Sequence, residues 1–339
     1  MDGTDEVVIS SRIRLARNVS DLPFPSKLND ERASLVARKV YDAVNPTDNY
    51  DLYKMSNISE IDGNVLMEKH LISADLLHNN QFGAAIINES ETVSIMINEE
   101  DHIREQCIMK GFRLTEAYDK INAVDDIISG KIKFAFDPKL GYLTSCPTNL
   151  GTGLRASVMM FLPGLTITKS LDSVLSAVSR LSMTVRGVYG EGSDASGYIY
   201  QVSNQKTLGV TEAEIIASVE TSIKHIVDAE LKSRDMLLKS NEAELKDEIL
   251  RAYGILSCAY KMSCREFMKL AALVKLGGYY KLLKISDRNR LEKLITDVQP
   301  ANLISICAKK LDADERDVYR AEFVSKIIKN IVSRDGVSR

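Results

Sequence analysis

The chain has 339 residues, 45% hydrophobic and 27% charged, with a formal net charge of -3. That length fits two domains, or one large domain with an appendage, and so mild a charge gives no general pull toward nucleic acid or membrane. There is no apolar run of about 18 residues, the acidic start is no signal peptide, and the five scattered cysteines include no CxxC pair; no transmembrane helix is expected, neither a zinc site nor a disulfide framework is indicated, and a cytoplasmic protein is expected.

Residues 7–14 read as a strand carrying Arg12 and Arg14 on one face. Residues 83–88 and 92–98, rich in Ile, Val and Ala, read as two adjacent strands. Residues 101–128 have helical character. Over 131–137, Ile132, Phe134 and Phe136 alternate with Lys131 and Lys133, which predicts another strand. Residues 198–204 again look extended. Strands without crossover helices between them predict a central antiparallel sheet flanked by helices, an α+β fold. After Gly209 the texture changes. Thr211-Glu212-Ala213-Glu214 is a capping box, and Ile215, Val219, Ile223 and Val227 form one stripe. Helix starts are predicted at Asn241, Ser263 and Asp312, with Gly277-Gly278 closing one helix. The expected division is residues 1–234 as a catalytic domain and 235–339 as an all-helical one. Apolar stripes in the latter predict self-association, at least a dimer.

The run Val93-Ser94-Ile95-Met96-Ile97 ends in Asn98-Glu99-Glu100-Asp101-His102-Ile103-Arg104. Acids gathered at a strand end repel one another unless a cation sits among them, so the cluster suits a metal, an ammonium or a guanidinium. Arg104 beside it suits phosphate. Together they point to phosphoryl transfer onto a nitrogen base. With no Walker A loop and no GxGxxG turn, a polyphosphate would be held by arginine forks, from Arg12, Arg14, Arg104, Arg155 and Arg186. Arg155 follows the small-residue turn Cys146-Pro147-Thr148-Asn149-Leu150-Gly151-Thr152-Gly153. Arg186 opens a glycine-punctuated loop running to Gly197, which reads as a mobile lid or a plain surface loop. Glu191 on that loop would join Glu100 in gripping one guanidinium. Cys146 is either a packed thiol or a reactive one; reactivity would need a base such as His70 or His102.

Taken together, Ser10-Ser11-Arg12-Ile13-Arg14, Asn98 to Arg104, Cys146 to Thr152 and Arg186-Gly187-Val188-Tyr189-Gly190-Glu191 resemble the signatures of the phosphagen (guanidino) kinases, in that family's order. Two departures make the chain similar to that family's bacterial protein arginine kinases: it starts almost at the catalytic core, without an additional N-terminal helical domain, and a helical tail follows. Arg316-Asp317-Val318-Tyr319-Arg320-Ala321 resembles the phosphoarginine-binding RDxxRA motif of such tails. The resemblance implies that the five arginines hold the phosphates of ATP. Ser10, Ser11, Ile13, His70, Ala156, Ser157, Val158, Met159, Gly187, Val188, Tyr189 and Gly190 would complete the nucleotide site. Glu100 and Glu191 would clamp the substrate guanidinium, and Cys146 would touch its far side. Mg²⁺ would be held by phosphate oxygens and water, with no direct protein ligand and Glu99 contributing through water. Arg316, Asp317, Arg320 and Ala321 would bind phosphoarginine allosterically. The implied function is phosphorylation of protein arginines, marking proteins for regulated degradation or altering stress regulators. Implied partners are arginine-bearing substrates, a zinc-containing activator protein, a heat-shock repressor and an AAA+ unfoldase chaperone. The competing readings are a kinase of free arginine and a catalytically silent phosphoarginine-binding adaptor.

Overall fold

The computed structural model describes residues 3–79, 82–188 and 196–334. They divide into two compact units, one of Met1–Met160, Leu175–Val185 and Gln201–Ile226, the other of Phe161–Val174, Arg186–Tyr200 and Val227–Arg339. In chain order the elements begin with α1 (Thr4–Val7), β1 (Val8–Arg17), α2 (Asp30–Val44), β2 (Tyr50–Lys54), α3 (Glu60–Glu68), α4 (Ala74–Asn79), β3 (Ala84–Asn88), β4 (Val93–Ile97), β5 (Ile103–Lys110) and α5 (Leu114–Ser129). They continue with β6 (Phe136–Asp137), β7 (Gly141–Tyr142), β8 (Leu154–Phe161), α6 (Pro163–Ile167), α7 (Leu171–Ser179), β9 (Met183–Gly187) and β10 (Ile199–Asn204). Helices α8 (Glu212–Ser240), α9 (Glu242–Cys258), α10 (Cys264–Tyr279), α11 (Arg288–Asp297), α12 (Pro300–Cys307) and α13 (Ala313–Ile331) follow, with a small hairpin of β11 (Leu283–Ile285) and β12 (Val332–Arg334).

The large sheet has eight strands in the order β2-β3-β4-β5-β1-β8-β10-β9. From β2 to β8 every pairing is antiparallel. Side chains directly opposite each other share a face, so the register sorts the residues. Arg14 lies opposite Gln106 and Arg155, Arg12 opposite Ser157, and Ala16 opposite Arg104. Met96 faces Ala85 and Arg104 and so continues that face. There it joins a buried cluster with Leu66 of α3, Leu76 of α4, Leu71 and Ile72. The opposite face carries Ile13, Leu15, Ile86 and Ile95, all fully buried, and helix α5 packs on β1 and β5. An α+β fold with a large antiparallel sheet and a helical C-terminal region is what the sequence predicts.

Two local expectations fail. Residues 103–110, expected as helix, form strand β5, and the helix starts only at Leu114. Burial on both faces of β5 hides the alternation, and Ile103 and Cys107 stand at helix-like spacing. Over 131–137, expected as a strand, only Phe136–Asp137 forms one, paired with β7, while Phe134 makes an isolated antiparallel bridge to Val19, and Phe136 is exposed. Helix α2 and edge strand β2 had no expectation attached to them.

In the second unit two of the expected helix starts carry side-chain caps, whereas Asn241 precedes α9 without one. Ser263 accepts from the Glu266 backbone N–H, and Asp312 and Glu315 form a reciprocal capping box. Helix α10 runs through Gly277 and Gly278 to Tyr279 rather than stopping at them. A Cβ at Gly277 would lie 2.5 Å from Ile249 Cγ2 and 2.9 Å from Leu283 Cδ1, so this glycine permits close packing against α9. Glu230 and Arg234 form a fully buried ion pair on α8, and Glu230 also caps α6 through the N–H groups of Gly164 and Leu165. No helix among the described residues is long and apolar enough to cross a membrane.

Candidate active site

The first unit gathers Arg12, Arg14, Arg104 and Arg155 on one sheet face, from three neighbouring strands. Arg12 Nη2 donates to Gln201 Oε1 at 2.7 Å, and Arg155 Nη2 to Ser203 Oγ at 3.0 Å. Both of these partners are neutral side chains that orient the guanidiniums. Arg12 is pushed down to about 10, by burial first and then by Arg155 and Arg104. Arg14 is also lowered, by burial and by Arg12, Arg104 and Arg155, with Glu99 opposing. The buried Nε of Arg14 has no hydrogen-bond partner. A row of mutually repelling guanidiniums with an orphaned N–H is stabilised by a multivalent anion. His70, at φ 61°, lies beside them; burial and then the Arg12 charge push it down to about 4, so its imidazole is neutral. The main-chain oxygen of His70 is held by Gln106 Nε2 at 2.8 Å.

The β4–β5 turn carries the acids. Asn98 takes the left-handed conformation (φ 54°) that Asn tolerates, and its Nδ2 donates to the Ala33 carbonyl at 3.0 Å. Arg104 lies between two carboxylates, Nη1 on Glu99 at 2.7 Å and Nη2 on Glu100 at 2.9 Å. Glu99 also accepts a short hydrogen bond from Ser73, and its side chain is nearly buried, whereas Glu100 stays open to solvent. The turn Cys146–Gly153 is packed backbone on backbone. A Cβ on Gly151 (φ 111°) would lie 2.3 Å from the Thr207 carbonyl, and Thr207 Oγ1 donates to Leu150 O at 2.7 Å. Cys146 is half-buried, with Sγ 3.1 Å from Thr148 Oγ1. His102 cannot serve it as a base. Its Nδ1 accepts from the Val19 N–H at 3.1 Å and its Nε2 is 3.0 Å from the Pro23 carbonyl, so both ring nitrogens are committed.

Not every expected site residue lies on this face. Ser11, Ile13, Ala156 and Val158 point to the opposite, buried face, and Ser11 is tied to the Gly111 carbonyl at 2.9 Å. Ser10 and Met159 are half-buried partners across β1 and β8. Arg186, Gly187 and Val188 belong to the second unit, with Arg186 exposed on β9. Tyr189, Gly190 and Glu191 lie outside the described residues. Of the RDxxRA residues, Arg320 and Ala321 are buried. Arg320 donates to Val298 O at 3.0 Å and Met262 O at 2.9 Å and pairs with Asp317, while Arg316 Nη1 donates to Leu311 O at 3.4 Å.

Sequence reading passed over Gln201, Ser203, Thr207, Asn18 and Arg17. Arg17, 1% exposed, binds Asp125 through Nη2 at 2.9 Å, holds the Thr152 carbonyl at 2.9 Å and lies 3.6 Å over the Tyr142 ring. Its sequence signal, an arginine ending a strand, is indistinguishable from a solvated one.

A family model described as the ATP:guanido phosphotransferase C-terminal catalytic domain matches residues 32–233, and one described as the protein-arginine kinase McsB C-terminal domain matches residues 242–337. A protein-arginine kinase of Caldanaerobacter subterraneus subsp. tengcongensis is 48% identical over 325 residues, 94% of this chain and 96% of that protein. A protein-arginine kinase of Clostridium tetani is 41% identical over 333 residues, 98% of each. Among solved structures, a lombricine kinase matches with a TM-score of 0.61 and 26% identity, over 68% of each chain. The substrate-free duplicated taurocyamine kinase from Schistosoma mansoni matches with a TM-score of 0.60 and 26% identity, over 77% of this chain and 39% of that one. An arginine-lined sheet face with acids at its edge, a catalytic-domain match over 32–233 and identities of 41–48% along nearly the whole chain show that this protein belongs to the ATP:guanido phosphotransferase family, in its protein-arginine kinase branch, and is a phosphotransferase.

Proposed function

We propose that the chain transfers the γ-phosphoryl group of ATP to arginine side chains of proteins. The observation that carries this reading is the four-arginine face with its orphaned Arg14 Nε, set beside an open carboxylate. The face receives the polyphosphate, and its cations stabilise charge on the phosphoryl group in flight, the main task in this reaction class. Glu100 aligns the substrate guanidinium and accepts its proton, with Glu191 as the second carboxylate. Arg104 now occupies Glu100. A half-exposed ion pair of this kind is weak, so an arriving phosphate draws Arg104 away as an arriving guanidinium takes its place. Mg²⁺ would be carried on phosphate oxygens and water, since the Glu99 carboxylate is already engaged by Ser73 and Arg104 and reaches the ion only through water.

Cys146 contacts the far side of the guanidinium. Residues 235–339 form a helical domain for self-association, in which Arg316 and Asp317 on α13 read phosphoarginine and Arg320 fixes the frame. The resemblance extends the proposal to regulated degradation and stress control, with the activator, repressor and unfoldase as partners and a cytoplasmic location. A second reading, a kinase of a free guanidino compound, is favoured by the likeness to lombricine and taurocyamine kinases. It is the weaker one, at 26% identity against 41–48%.

The test is incubation with Mg-ATP and either a casein-like protein or free arginine, read by mass spectrometry at neutral or basic pH. Phosphate on protein arginine is expected. Phosphate on free arginine alone supports the second reading, and phosphate on Ser, Thr or Tyr overturns both. The Glu100→Ala variant should keep the fold by circular dichroism and lose at least about a hundredfold in turnover.

A further inference from the structure

We infer that Asp101 is a positioning residue whose buried carboxylate clamps the turn carrying Glu100 to the turn carrying Cys146. It rests on the reading above in one respect, that Glu100 and Cys146 face the same guanidinium.

Asp101 is fully buried and sits one residue beyond Glu100. Its Oδ1 accepts from the backbone N–H of Ser145, the residue before Cys146, at 2.7 Å. The same oxygen accepts from Asn18 Nδ2 at 2.6 Å. Asn18 completes the bridge from both ends: its Nδ2 also reaches the Leu143 carbonyl at 3.0 Å, and its Oδ1 accepts from the His102 N–H at 2.9 Å. Two side chains therefore tie residues 101–102 to residues 143–145, across more than forty positions of sequence. Hydrogen bonds to a buried carboxylate are short and directional, so the spacing of the two turns is held by this contact rather than by side-chain packing alone. Glu100 points to solvent and Cys146 is half-exposed. The Glu100 side chain is held by its half-exposed pair with Arg104 and the Cys146 thiol by Thr148, so the backbone position of each is set largely by the residue next to it. Misplacing a substrate-aligning group by about an ångström costs roughly a hundredfold in rate.

The asymmetry of the carboxylate makes the inference sharp. Both donors use Oδ1, and the buried Oδ2 has no hydrogen-bond partner. The clamp thus needs one acceptor oxygen, not a negative charge. Asp101→Asn keeps that oxygen, whereas Asp101→Leu removes it in similar volume, and Asn18→Leu removes the second bridge.

The test reads two things apart. The first is the alkylation rate of Cys146 by iodoacetamide without substrates, followed by peptide mass spectrometry, with exposed Cys258 of the second unit as internal control. The second is KM for a protein substrate against KM for ATP. Asp101→Leu and Asn18→Leu should each change Cys146 alkylation about tenfold while Cys258 stays constant, and raise KM for the protein substrate about tenfold with KM for ATP near wild type. Asp101→Asn should stay within about threefold of wild type in both readouts. An unchanged Cys146 rate in Asp101→Leu overturns the clamp, as does an Asp101→Asn variant as damaged as Asp101→Leu. A changed Cys146 rate with unchanged protein KM leaves the clamp standing and overturns instead the placing of Glu100 and Cys146 against one substrate. If Asp101→Leu does not fold, Asn18→Leu and Asp101→Asn carry the same decision.

Discussion

Glu105 follows Arg104 in sequence yet has the opposite fate, because the strand turns it to the other sheet face. It is fully buried and faces Asp125 and Arg17. One guanidinium cannot neutralise two carboxylates, so burial first, and then the Asp125 charge, hold the Glu105 carboxyl well above its usual range. Its folded pKa therefore exceeds its unfolded one. The stability it contributes is complete below the ordinary glutamate range and is lost as pH rises toward the folded value. Glu105→Gln should accordingly raise the unfolding temperature at pH 8 and raise it less at pH 5. Thermal denaturation at the two pH values checks this, and an equal effect at both would contradict it. His70 runs the same way in chemical terms: its neutral ring near Arg12 adds no further charge to an already crowded face.

At the scale of elements, close backbone approach decides where glycine is required. Helix α10 meets α9 at Gly277, where even a methyl group would press on the branched Ile249. Gly277→Ala improves helix propensity by up to about 1 kcal/mol, but the overlap should cost more, about 1–3 kcal/mol net. Chemical denaturation of the variant should show a lower midpoint, whereas Gly254→Ala on α9, with nothing within 4 Å of its added Cβ, should be neutral or stabilising. The sign difference between two glycines in neighbouring helices is the check. Reading Gly277-Gly278 as a helix end mistakes a packing glycine for a capping one, since the sequence shows the missing side chain and not what fills its place.

For the molecule as a whole, the arginine face is a region of stored repulsion. Two buried cations with lowered proton affinity, Arg12 and Arg14, and the unpartnered Arg14 Nε destabilise the unliganded fold and favour any form with an anion bound. ATP at about a hundred times its Kd should stabilise the protein by about 2.7 kcal/mol. Arg14→Met should unfold no earlier than wild type without nucleotide, because a buried charge is gone, and should lose most of the nucleotide-dependent rise in midpoint. Thermal unfolding with and without ATP measures both. An unliganded midpoint several degrees lower, with the nucleotide rise intact, would show that Arg14 serves structure rather than phosphate.

The sequence by itself determined the α+β class, the strand periodicity that puts Arg12 and Arg14 on one side, the caps at Thr211, Ser263 and Asp312, and the association of acids with arginines. These are local properties, set by neighbours within about one turn or one strand. Only the tertiary structure decided that residues 103–110 are strand, that Arg155 and Arg104 flank Arg14, that His102 is bound to backbone, and that Asp101 reaches Ser145. Those depend on register between distant strands and on burial. A one-residue slip in β5 would have sent Arg104 into the core and Glu105 to the open face with no change in composition.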